Sequence, residues 1–185
     1  EITDTMCENK INLSPLSFYQ VNTLQAEKLY GIVARYADLT GTEEVMDLYC
    51  GAGTIGLSLA GNAKKVLGVE IIEQAVKNAT ENAKLNDINN ADFICGDATQ
   101  VAMDLAEKGK SPDIIIVDPP RKGCDEGTLK AILTMSPSKL IMVSCNAATA
   151  ARDCAFLSQN GYEVIGGQAV DLFPRTTHVE CVVLM

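Results

Sequence analysis

Two glycines one residue apart mark the stretch of this chain best suited to binding a ligand. An apolar run from Val45 to Tyr49 leads to Gly51 and Gly53, and a segment compatible with a helix follows. A strand, a glycine turn and a helix bring the backbone close to a ligand, because a side chain at either glycine would occupy the ligand's space. The spacing also fits G-x-G-x-x-G, with acidic Glu70 about 20 residues on. This stretch therefore indicates a nucleotide-like cofactor without identifying it, and a turn kept glycine-rich only for packing is the alternative.

Acidic residues end or follow the next predicted strands. Glu70 ends one strand, Asp97 follows the next, and Asp118 ends the one after that. In open α/β sheets ligands bind beyond the carboxyl ends of the strands. Carboxylates accept hydrogen bonds from ribose hydroxyls and from the adenine amino group, whereas they do not suit a pyrophosphate. Taken alone, Glu70 fits a solvated strand end and Asp97 fits a helix cap; together with the glycine turn they predict an adenosine site.

Two consecutive prolines follow Asp118. Pro119 and Pro120 impose a stiff, extended backbone directly after a buried strand, which holds the aspartate at the edge of the predicted site. A purely structural turn is the alternative. Arg121 comes next, and Arg175 lies near the final strand. Both arginines are candidates to contact phosphates, and both also fit ordinary surface charges.

One thiol and one carboxylate occupy positions where they can react. Cys145 ends an apolar strand, so its side chain can face the cleft, although a buried core cysteine is the alternative. Glu180 lies in an otherwise apolar strand, where burial would raise its pKa and make it a better base. A solvent-facing position is the other possibility for Glu180. His178, the only histidine, is a second candidate base, but a single histidine in a strand is more often structural.

The elements that would position these residues alternate between strands and helices. A short strand is predicted near Lys10–Leu13, then a loop containing Pro15, then a helix at Thr23–Ala37 with Asn22 as its N-cap. Strands follow at 45–49, 66–70, 91–95, 114–118 and 140–144, helices at 54–60, 73–85, 99–108, 126–135 and 147–160, and two last strands at 162–172 and 178–185. This alternation predicts an α/β fold with a seven-stranded, mainly parallel sheet and helices on both faces. The last two strands are too close for a crossover, so they predict a hairpin that leaves one strand antiparallel.

Composition limits the function classes. The 185 residues suit one domain, and no apolar run approaches the ~20 residues of a membrane span. The sequence opens without a secretory signal or an initiator Met, which suggests a cytoplasmic protein and a piece of a longer chain. A net charge of −9 argues against broad nonspecific binding to nucleic acid. The seven scattered cysteines contain no C-x-x-C pair and indicate free thiols in a reducing cytosol: Cys7, Cys50, Cys95, Cys124, Cys145, Cys154 and Cys181.

The order and spacing of six motifs make the chain recognisable. They are D-L-Y-C-G-A-G-T-I-G-L, G-V-E, G-D-A, D-P-P-R-K-G, S-C-N and H-V-E. The chain resembles the RNA 5-methyluridine methyltransferases, which methylate carbon 5 of uracil in bacterial ribosomal and transfer RNA. The resemblance runs from about Ser17-Phe18-Tyr19-Gln20-Val21-Asn22 to the final strand. The D-P-P-R, S-C-N and H-V-E motifs together are specific, whereas many methyltransferases share the glycine turn.

The resemblance implies the Rossmann-like fold of class I methyltransferases, with S-adenosylmethionine as cofactor, S-adenosylhomocysteine as product and no metal. It assigns Cys145 as the nucleophile and Glu180 as the base, and it places Asp118 between the cofactor and the target base, with Arg121 also at the substrate. The residues assigned to the cofactor site are Gln20, Tyr49, Gly51, Gly53, Thr54, Glu70, Asp97 and Asp118. This chemistry suits the residues, because addition of a thiolate to carbon 6 of uracil makes carbon 5 nucleophilic.

The resemblance also bears on domains and partners. Full-length members of the family carry N-terminal RNA-binding parts, and some carry an iron–sulfur centre. Residues 1–20 are therefore interpreted as a remnant or linker and residues 21–185 as the catalytic domain. The acidic charge is understandable if most of the RNA-binding surface lies in other parts. The expected partner is RNA, with ribosomal RNA favoured over transfer RNA, and we expect a monomer with no membrane or protein partner.

Three alternatives remain open from the sequence. A nicotinamide-dependent oxidoreductase shares the glycine turn but leaves Asp118-Pro119-Pro120 unexplained. A methyltransferase acting on an exocyclic amine also uses a D-P-P turn, yet there an aromatic residue normally follows the prolines, and here Arg121 does. A noncatalytic module that only binds the cofactor is the third.

Overall fold

The computed structural model describes residues 2–14 and 19–185 and contains one seven-stranded sheet and one two-stranded hairpin. The predicted loop at Pro15 and the motif residues Ser17 and Phe18 lie outside the described residues. The hairpin consists of β1 (Ile2–Met6) and β2 (Asn9–Leu13). The sheet contains β3 (Glu44–Leu48), β4 (Lys65–Glu70), β5 (Ala91–Cys95), β6 (Ile114–Val117), β7 (Lys139–Ser144), β8 (Gly166–Val170) and β9 (Glu180–Leu184). The helices are α1 (Thr23–Ala37), α2 (Thr54–Ala60), α3 (Glu73–Leu85), α4 (Ala98–Glu107), α5 (Glu126–Met135) and α6 (Ala147–Ser158).

The strand order confirms the predicted α/β class. Across the sheet the order is β5-β4-β3-β6-β7-β9-β8, and the pairs from β5 to β7 are all parallel. β9 is antiparallel to both β7 and β8, as the predicted C-terminal hairpin requires. No helix in the described part of the chain is long and apolar enough to cross a membrane.

The central strand β6 divides the core into two layers. Its four residues are all buried, because both faces of the sheet are covered. Ile114 and Ile116 pack in the layer that contains apolar residues of α1 and α2. Ile115 and Val117 point the other way, into the layer with α5 and α6. Helices on both faces follow directly from this alternation.

Several predicted bounds need correction. β3 ends at Leu48 rather than Tyr49, because Tyr49 adopts a left-handed φ of 68° that terminates the strand. The last two strands are shorter than predicted, since the ladder between them covers only Gly166–Val170 and Glu180–Leu184. Asn22 is confirmed as an N-cap, because its side chain accepts a 3.4 Å hydrogen bond from the Gln25 N–H.

The sequence predicted one strand in the N-terminal segment, and the structure has two. One edge of β2 pairs with β1, and side chains of α3 form hydrogen bonds with the backbone at its other edge. Asn82 binds the backbone of Asn12, and Asn86 binds the backbone of Lys10. In the first pair the Asn12 N–H donates to Asn82 Oδ1 at 2.8 Å, and Asn82 Nδ2 donates back to the Asn12 carbonyl at 3.2 Å. In the second pair both distances are 2.8 Å. Four helical residues rise about 6 Å and two strand residues about 6.6 Å, so the two asparagines match the strand repeat.

This pairing predicts a difference between two alanine substitutions. Asn82 is fully buried, so Asn82→Ala leaves the Asn12 backbone groups without a partner and should lower the free energy of unfolding by about 2 kcal/mol. Asn86 is partly exposed, and water can replace its side chain, so Asn86→Ala should cost about 1 kcal/mol or less. Chemical denaturation of both variants measures the difference. Equal losses would mean that burial does not make the Asn82 pairing more stabilising than the Asn86 pairing.

Candidate active site

One edge of the sheet collects the candidate residues. The parallel strands β3 to β7 end at this edge, and β9 begins there because it runs in the opposite direction. From β3 the chain adds β4 and β5 on one side, and it then returns to add β6 and β7 on the other side of β3. The boundary between β3 and β6 is therefore the topological switch point, where open α/β sheets bind ligands. The ends of β3, β4 and β5 form one half of the site, and the ends of β6 and β7 with the start of β9 form the other.

The two glycines of the turn have different reasons to be glycine. Gly51 has a φ of 56°, and a Cβ there would meet nothing within 4 Å, so this position borders open space. Gly53 has a φ of 81°, but a Cβ there would lie 2.9 Å from Phe93 Cε1 and 3.0 Å from Ala79 Cβ. The expectation that a Gly53 side chain would enter the ligand's space is therefore wrong, because the protein's own core fills that space.

Glu70 shapes the same turn. Its Oε2 accepts from the Gly51 N–H at 3.0 Å and its Oε1 accepts from the Ile72 N–H at 2.9 Å. Each carboxylate oxygen keeps a further lone pair for a ligand donor. Ile71 is 60% exposed beside it, which leaves an apolar surface at this end of the site. Glu70 thus fixes the turn and still presents acceptors to the open space beside Gly51.

The other predicted cofactor residues are placed as follows. Asp97 is exposed and caps α4, with its Oδ1 accepting from the Gln100 N–H at 3.0 Å. Thr54 begins α2, and its Oγ1 lies 3.0 Å from the hydroxyl of Tyr30. Gln20 is buried. The cap geometry gives Asp97 a structural role and leaves its second oxygen available.

Tyr49 is held by hydroxyl groups that lie far from it in the sequence. Its hydroxyl lies 3.3 Å from Thr128 Oγ1, which lies 2.7 Å from Thr99 Oγ1. Burial raises the pKa of the Tyr49 phenol to about 12, so the phenol is neutral. Two threonines on different helices, α4 and α5, therefore orient the ring at the end of β3.

Asp47 is the functional candidate that sequence reasoning missed. It is completely buried, its Oδ2 accepts from the Gly56 N–H at 3.0 Å, and its Oδ1 has no partner among the described residues. Burial raises the pKa of this carboxyl to about 8, and the charges of Asp118 and Glu70 raise it further while the Gly56 N–H opposes them. The available signal was an acid inside an apolar strand.

Asp118 lies at the seam between the two halves. Its N–H donates to the Leu48 carbonyl at 3.3 Å, which joins the end of β6 to the end of β3. Although Asp118 keeps some exposed surface, loss of hydration and then the charge of Glu180 raise its carboxyl pKa to about 7. Of the prolines that follow, Pro119 is buried and Pro120 is exposed.

Cys145 and Glu180 meet through strand register. The β7–β9 ladder ends with the pair Ser144 and Cys181; Cys145 follows the first and Glu180 precedes the second. The charge of Glu180 acts on the Cys145 thiol and raises its pKa, which is consistent with two neighbouring groups. Glu180 is only 4% exposed, and burial raises its pKa. The structure thus supports the buried alternative for Glu180 and brings the predicted thiol and carboxylate together.

The surroundings of Cys145 raise the pKa of its thiol. Burial raises it, and the charges of Glu180 and Asp118 raise it further. Arg121 and a backbone hydrogen bond act in the opposite direction on the Cys145 pKa, and Arg121 also lowers the pKa of Glu180. Sequence reasoning did not place Arg121 beside Cys145, because the two residues belong to different loops.

An open cleft of about 420 Å³ gives access to Cys145. Arg121 and His178 line it, with Arg121 Nη2 3.4 Å from His178 Nε2, and both side chains are exposed. Arg175 is exposed in the loop before β9. In a chain of net charge −9, the Arg121 guanidinium gives this cleft a local attraction for anions.

The sheet order, the glycine turn at the switch point and the antiparallel last strand define the Rossmann-like fold of class I methyltransferases. The profile of the tRNA (uracil-5-)-methyltransferase family matches residues 7–185, and the chain belongs to this family. Family membership favours a methyltransferase over the oxidoreductase that the glycine turn left open.

Individual relatives agree. A protein of Enterococcus faecalis, described as an uncharacterized RNA methyltransferase, is 51% identical over 100% of this chain and 40% of its own length. A similarly described protein of Clostridium acetobutylicum is 52% identical, also over 100% of this chain and 40% of its own length. The structure of Pyrococcus abyssi tRNA (uracil-54, C5)-methyltransferase in complex with S-adenosyl-L-homocysteine superposes with a TM-score of 0.85 and 32% identity, over 99% of this chain and 43% of that one. The chain therefore spans less than half the length of these proteins.

The buried Asp47 predicts a pH-dependent contribution to stability. Its ordinary pKa is 3.8 and its folded pKa is about 8, so between these values the unfolded chain has lost a proton that the folded chain retains. Stability from this group therefore falls as the pH rises from about 4 to about 8. Asp47→Asn has no carboxyl group at this position, so its stability should not fall with pH for this reason. The free energy of unfolding of the variant minus that of wild type should therefore be larger at pH 8 than at pH 5 by at least about 1 kcal/mol.

Chemical denaturation at the two pH values measures this difference. Asp171→Asn is the matched control, because Asp171 is exposed and its variant should show the same offset at both values. A constant offset for Asp47→Asn would show that Asp47 is ionised in the folded protein.

Proposed function

We propose that this chain is the catalytic part of an enzyme that transfers a methyl group from S-adenosylmethionine to carbon 5 of a uridine in RNA. The observation that carries the proposal is the proximity of Cys145 and buried Glu180 at the end of the β7–β9 ladder, with Arg121 lining the same cleft as Cys145 and Asp118 at the switch point. Membership of the uracil-5-methyltransferase family supports it, as does the complex of the Pyrococcus abyssi enzyme with S-adenosyl-L-homocysteine.

The residues at the β3–β5 half fit the cofactor. The open space beside Gly51 admits a ligand close to the backbone, and Glu70 and Asp97 keep acceptors for ribose hydroxyls and an adenine amino group. The remaining residues assigned to this half are Gln20, Tyr49, Gly53 and Thr54, with Asp118 at the seam. When bound, S-adenosylmethionine supplies an electrophilic methyl group.

The residues at the other half perform the proton and bond changes on the base. The Cys145 thiolate adds to carbon 6 of uracil, and the electrons of the carbon 5–carbon 6 double bond form an enolate with carbon 5 nucleophilic. After carbon 5 has gained the methyl group, Glu180 accepts the proton from carbon 5. The electrons left on carbon 5 restore the double bond and expel the thiolate, which regenerates the free enzyme.

The electrostatics of the site suit these roles. Burial raises the proton affinity of Glu180, which favours proton removal, while Arg121 limits the rise and helps to keep the carboxylate ionised. Asp118, with a pKa of about 7, is partly neutral near neutral pH, and its neutral form reduces the negative charge that faces the thiolate. Arg121 acts in the same sense by stabilising both anions.

Arg121, Lys122, Arg175 and His178 are the exposed candidates for RNA phosphates near the cleft. A flipped base costs a few kcal/mol of stacking, and few cations are available here to offset it. The chain alone should therefore bind RNA weakly, with most affinity supplied by other parts of the protein. Ribosomal RNA is the substrate class favoured from the sequence; transfer RNA is the substrate of the Pyrococcus abyssi relative.

Cofactor binding tests Glu70. Glu70→Ala removes the acceptor for ribose hydroxyls and the support of the Gly51 N–H, so affinity for S-adenosylhomocysteine should fall by about 1–3 kcal/mol in calorimetry. Glu73→Ala is the matched control, because Glu73 is exposed and only pairs with Lys77 on the same helix. Unchanged affinity in Glu70→Ala would remove this residue from the cofactor site.

Cys145 and Glu180 should fail at different steps. Cys145→Ala should form neither adduct nor product, although the cofactor should still bind. Glu180→Gln keeps the shape but cannot accept the proton, so a methylated protein–RNA adduct should accumulate. The full-length protein is incubated in parallel with ribosomal and transfer RNA, and denaturing gels detect the slowly migrating adduct.

Three outcomes would contradict the proposal. An adduct in Cys145→Ala would exclude this thiol as the nucleophile. Rapid product release by Glu180→Gln would mean that another residue is the general base, and His178 would be tested next. The third outcome combines two measurements. If ordinary RNA is methylated but no covalent adduct is trapped on 5-fluorouracil RNA, the result would favour methyl transfer to an exocyclic amine.

A further inference from the structure

Helix α6 holds the loop that carries Arg121. Two side chains of its first turn bind the Arg121 carbonyl, with Asn146 Nδ2 at 3.1 Å and Thr149 Oγ1 at 3.3 Å. One turn further, Arg152 Nη2 donates to the carbonyls of Lys122 at 3.0 Å and Cys124 at 3.3 Å. These contacts fix the backbone of the loop on both sides of Gly123.

Asp153 completes the attachment from inside the protein. It is 1% exposed, and its Oδ2 accepts from the Cys124 N–H at 2.8 Å. Its Oδ1 accepts from Arg152 Nε at 2.8 Å, so the same carboxylate also orients the guanidinium that binds the loop. Gly123 has a φ of 79°, and a Cβ there would lie 2.5 Å from both Arg152 Nη2 and Asp153 Oδ2. The loop and the helix therefore fit only with glycine at this position.

The side chain of Arg121 is much less restrained than its backbone. It is exposed, and its hydrogen-bond contact is the 3.4 Å approach to His178. Its distance from Cys145 therefore depends mainly on where the loop backbone is held. The charged or titratable groups that face Cys145 are Glu180 and Cys181 of β9, Asp118 after β6, and Arg121, with His178 lining the same cleft.

We propose that Asp153, acting with Arg152, is a positioning residue that holds the 121–124 loop so that the Arg121 guanidinium stays beside Cys145. This inference rests on the proposed function only in that Cys145 is the nucleophile. Its observable is the ionisation of the Cys145 thiol, which can be measured without RNA or turnover.

Asp153→Asn breaks the attachment with almost no change in volume. The carboxylate accepts on both sides, from the Cys124 N–H and from Arg152. An amide has one accepting oxygen and one donating nitrogen. In Asp153→Asn the donating nitrogen must therefore face either the Cys124 N–H or Arg152, which are both donors. The loop should loosen, and the guanidinium should spend less time beside the thiol.

The experiment follows alkylation of Cys145 by iodoacetamide in the full-length protein, with peptide mass spectrometry reporting this cysteine alone. Rates are measured from about pH 7 to about pH 11, which brackets the ordinary thiol pKa. Arg121→Gln should move the midpoint upward by about half a pH unit, or about threefold in rate below the midpoint, which is the size of one solvent-screened charge. Asp153→Asn should move it in the same direction, and the double variant should match Arg121→Gln alone.

Two further variants keep the test decisive. Asp125→Asn is the matched control, because Asp125 lies in the same loop and makes only an exposed pair with Lys122, so its midpoint should equal that of wild type. Thr149→Val removes a hydrogen bond to the Arg121 carbonyl without disturbing a buried charge. It should give a smaller upward shift, and it replaces Asp153→Asn if circular dichroism shows that variant to be unfolded.

Several results would overturn the proposal. They are a wild-type midpoint in Arg121→Gln, a wild-type midpoint in the folded Asp153 or Thr149 variant, and shifts that add in the double variant. Failure of the proposed function is distinguishable, because it appears in the adduct assay of Cys145→Ala and leaves the alkylation midpoints unchanged.

Discussion

The site depends on the register of one antiparallel strand pair. Because β9 runs against β7, it begins at the edge where β7 ends, and the pairing of Ser144 with Cys181 brings Cys145 and Glu180, the next residue on each side, to the same edge. A slip of one residue would set a different side chain against the thiol and turn the buried face of β9 outward. Val143 and Val182 are paired and fully buried, so the apolar pattern of the two strands fixes this register. Packing of the sheet therefore decides the chemistry at its edge.

Three acidic side chains crowd the edge that the register creates. The carboxyl groups of Asp47, Asp118 and Glu180 all have raised pKa values, because each is removed from water and the first two also face another carboxylate. A thiolate placed among them is disfavoured unless a cation is near. Arg121 is the group whose charge lowers the pKa of both Cys145 and Glu180. The position of one exposed guanidinium consequently matters more here than it would on an ordinary surface.

Sequence reasoning succeeded where local pattern and chemistry coincide. The bounds of α1, α2, α3, β5 and α5 match their predicted ranges because caps, glycines and apolar periodicity mark them within a few residues. It failed where a partner is distant in the chain. β1 was missed because side chains of α3 support its neighbour β2, and Asp153 was missed because the N–H that it accepts from belongs to Cys124. The reason given for glycine at position 53 was wrong, because a sequence does not reveal that Phe93 lies beside it.

The two halves of the site are coupled electrostatically through carboxyl groups at the seam. Asp118 lies between β3 and the Cys145 loop, and its charge raises the pKa of Asp47 on one side and of Cys145 on the other. Its own pKa of about 7 is raised in part by Glu180, so protonation of Glu180 makes ionisation of Asp118 easier. Since each unit of pKa shift equals about 1.4 kcal/mol, any ligand that alters the charge of one group alters the ionisation of the others. A proton arriving at Glu180 is thus felt at Asp118, the residue that borders both halves.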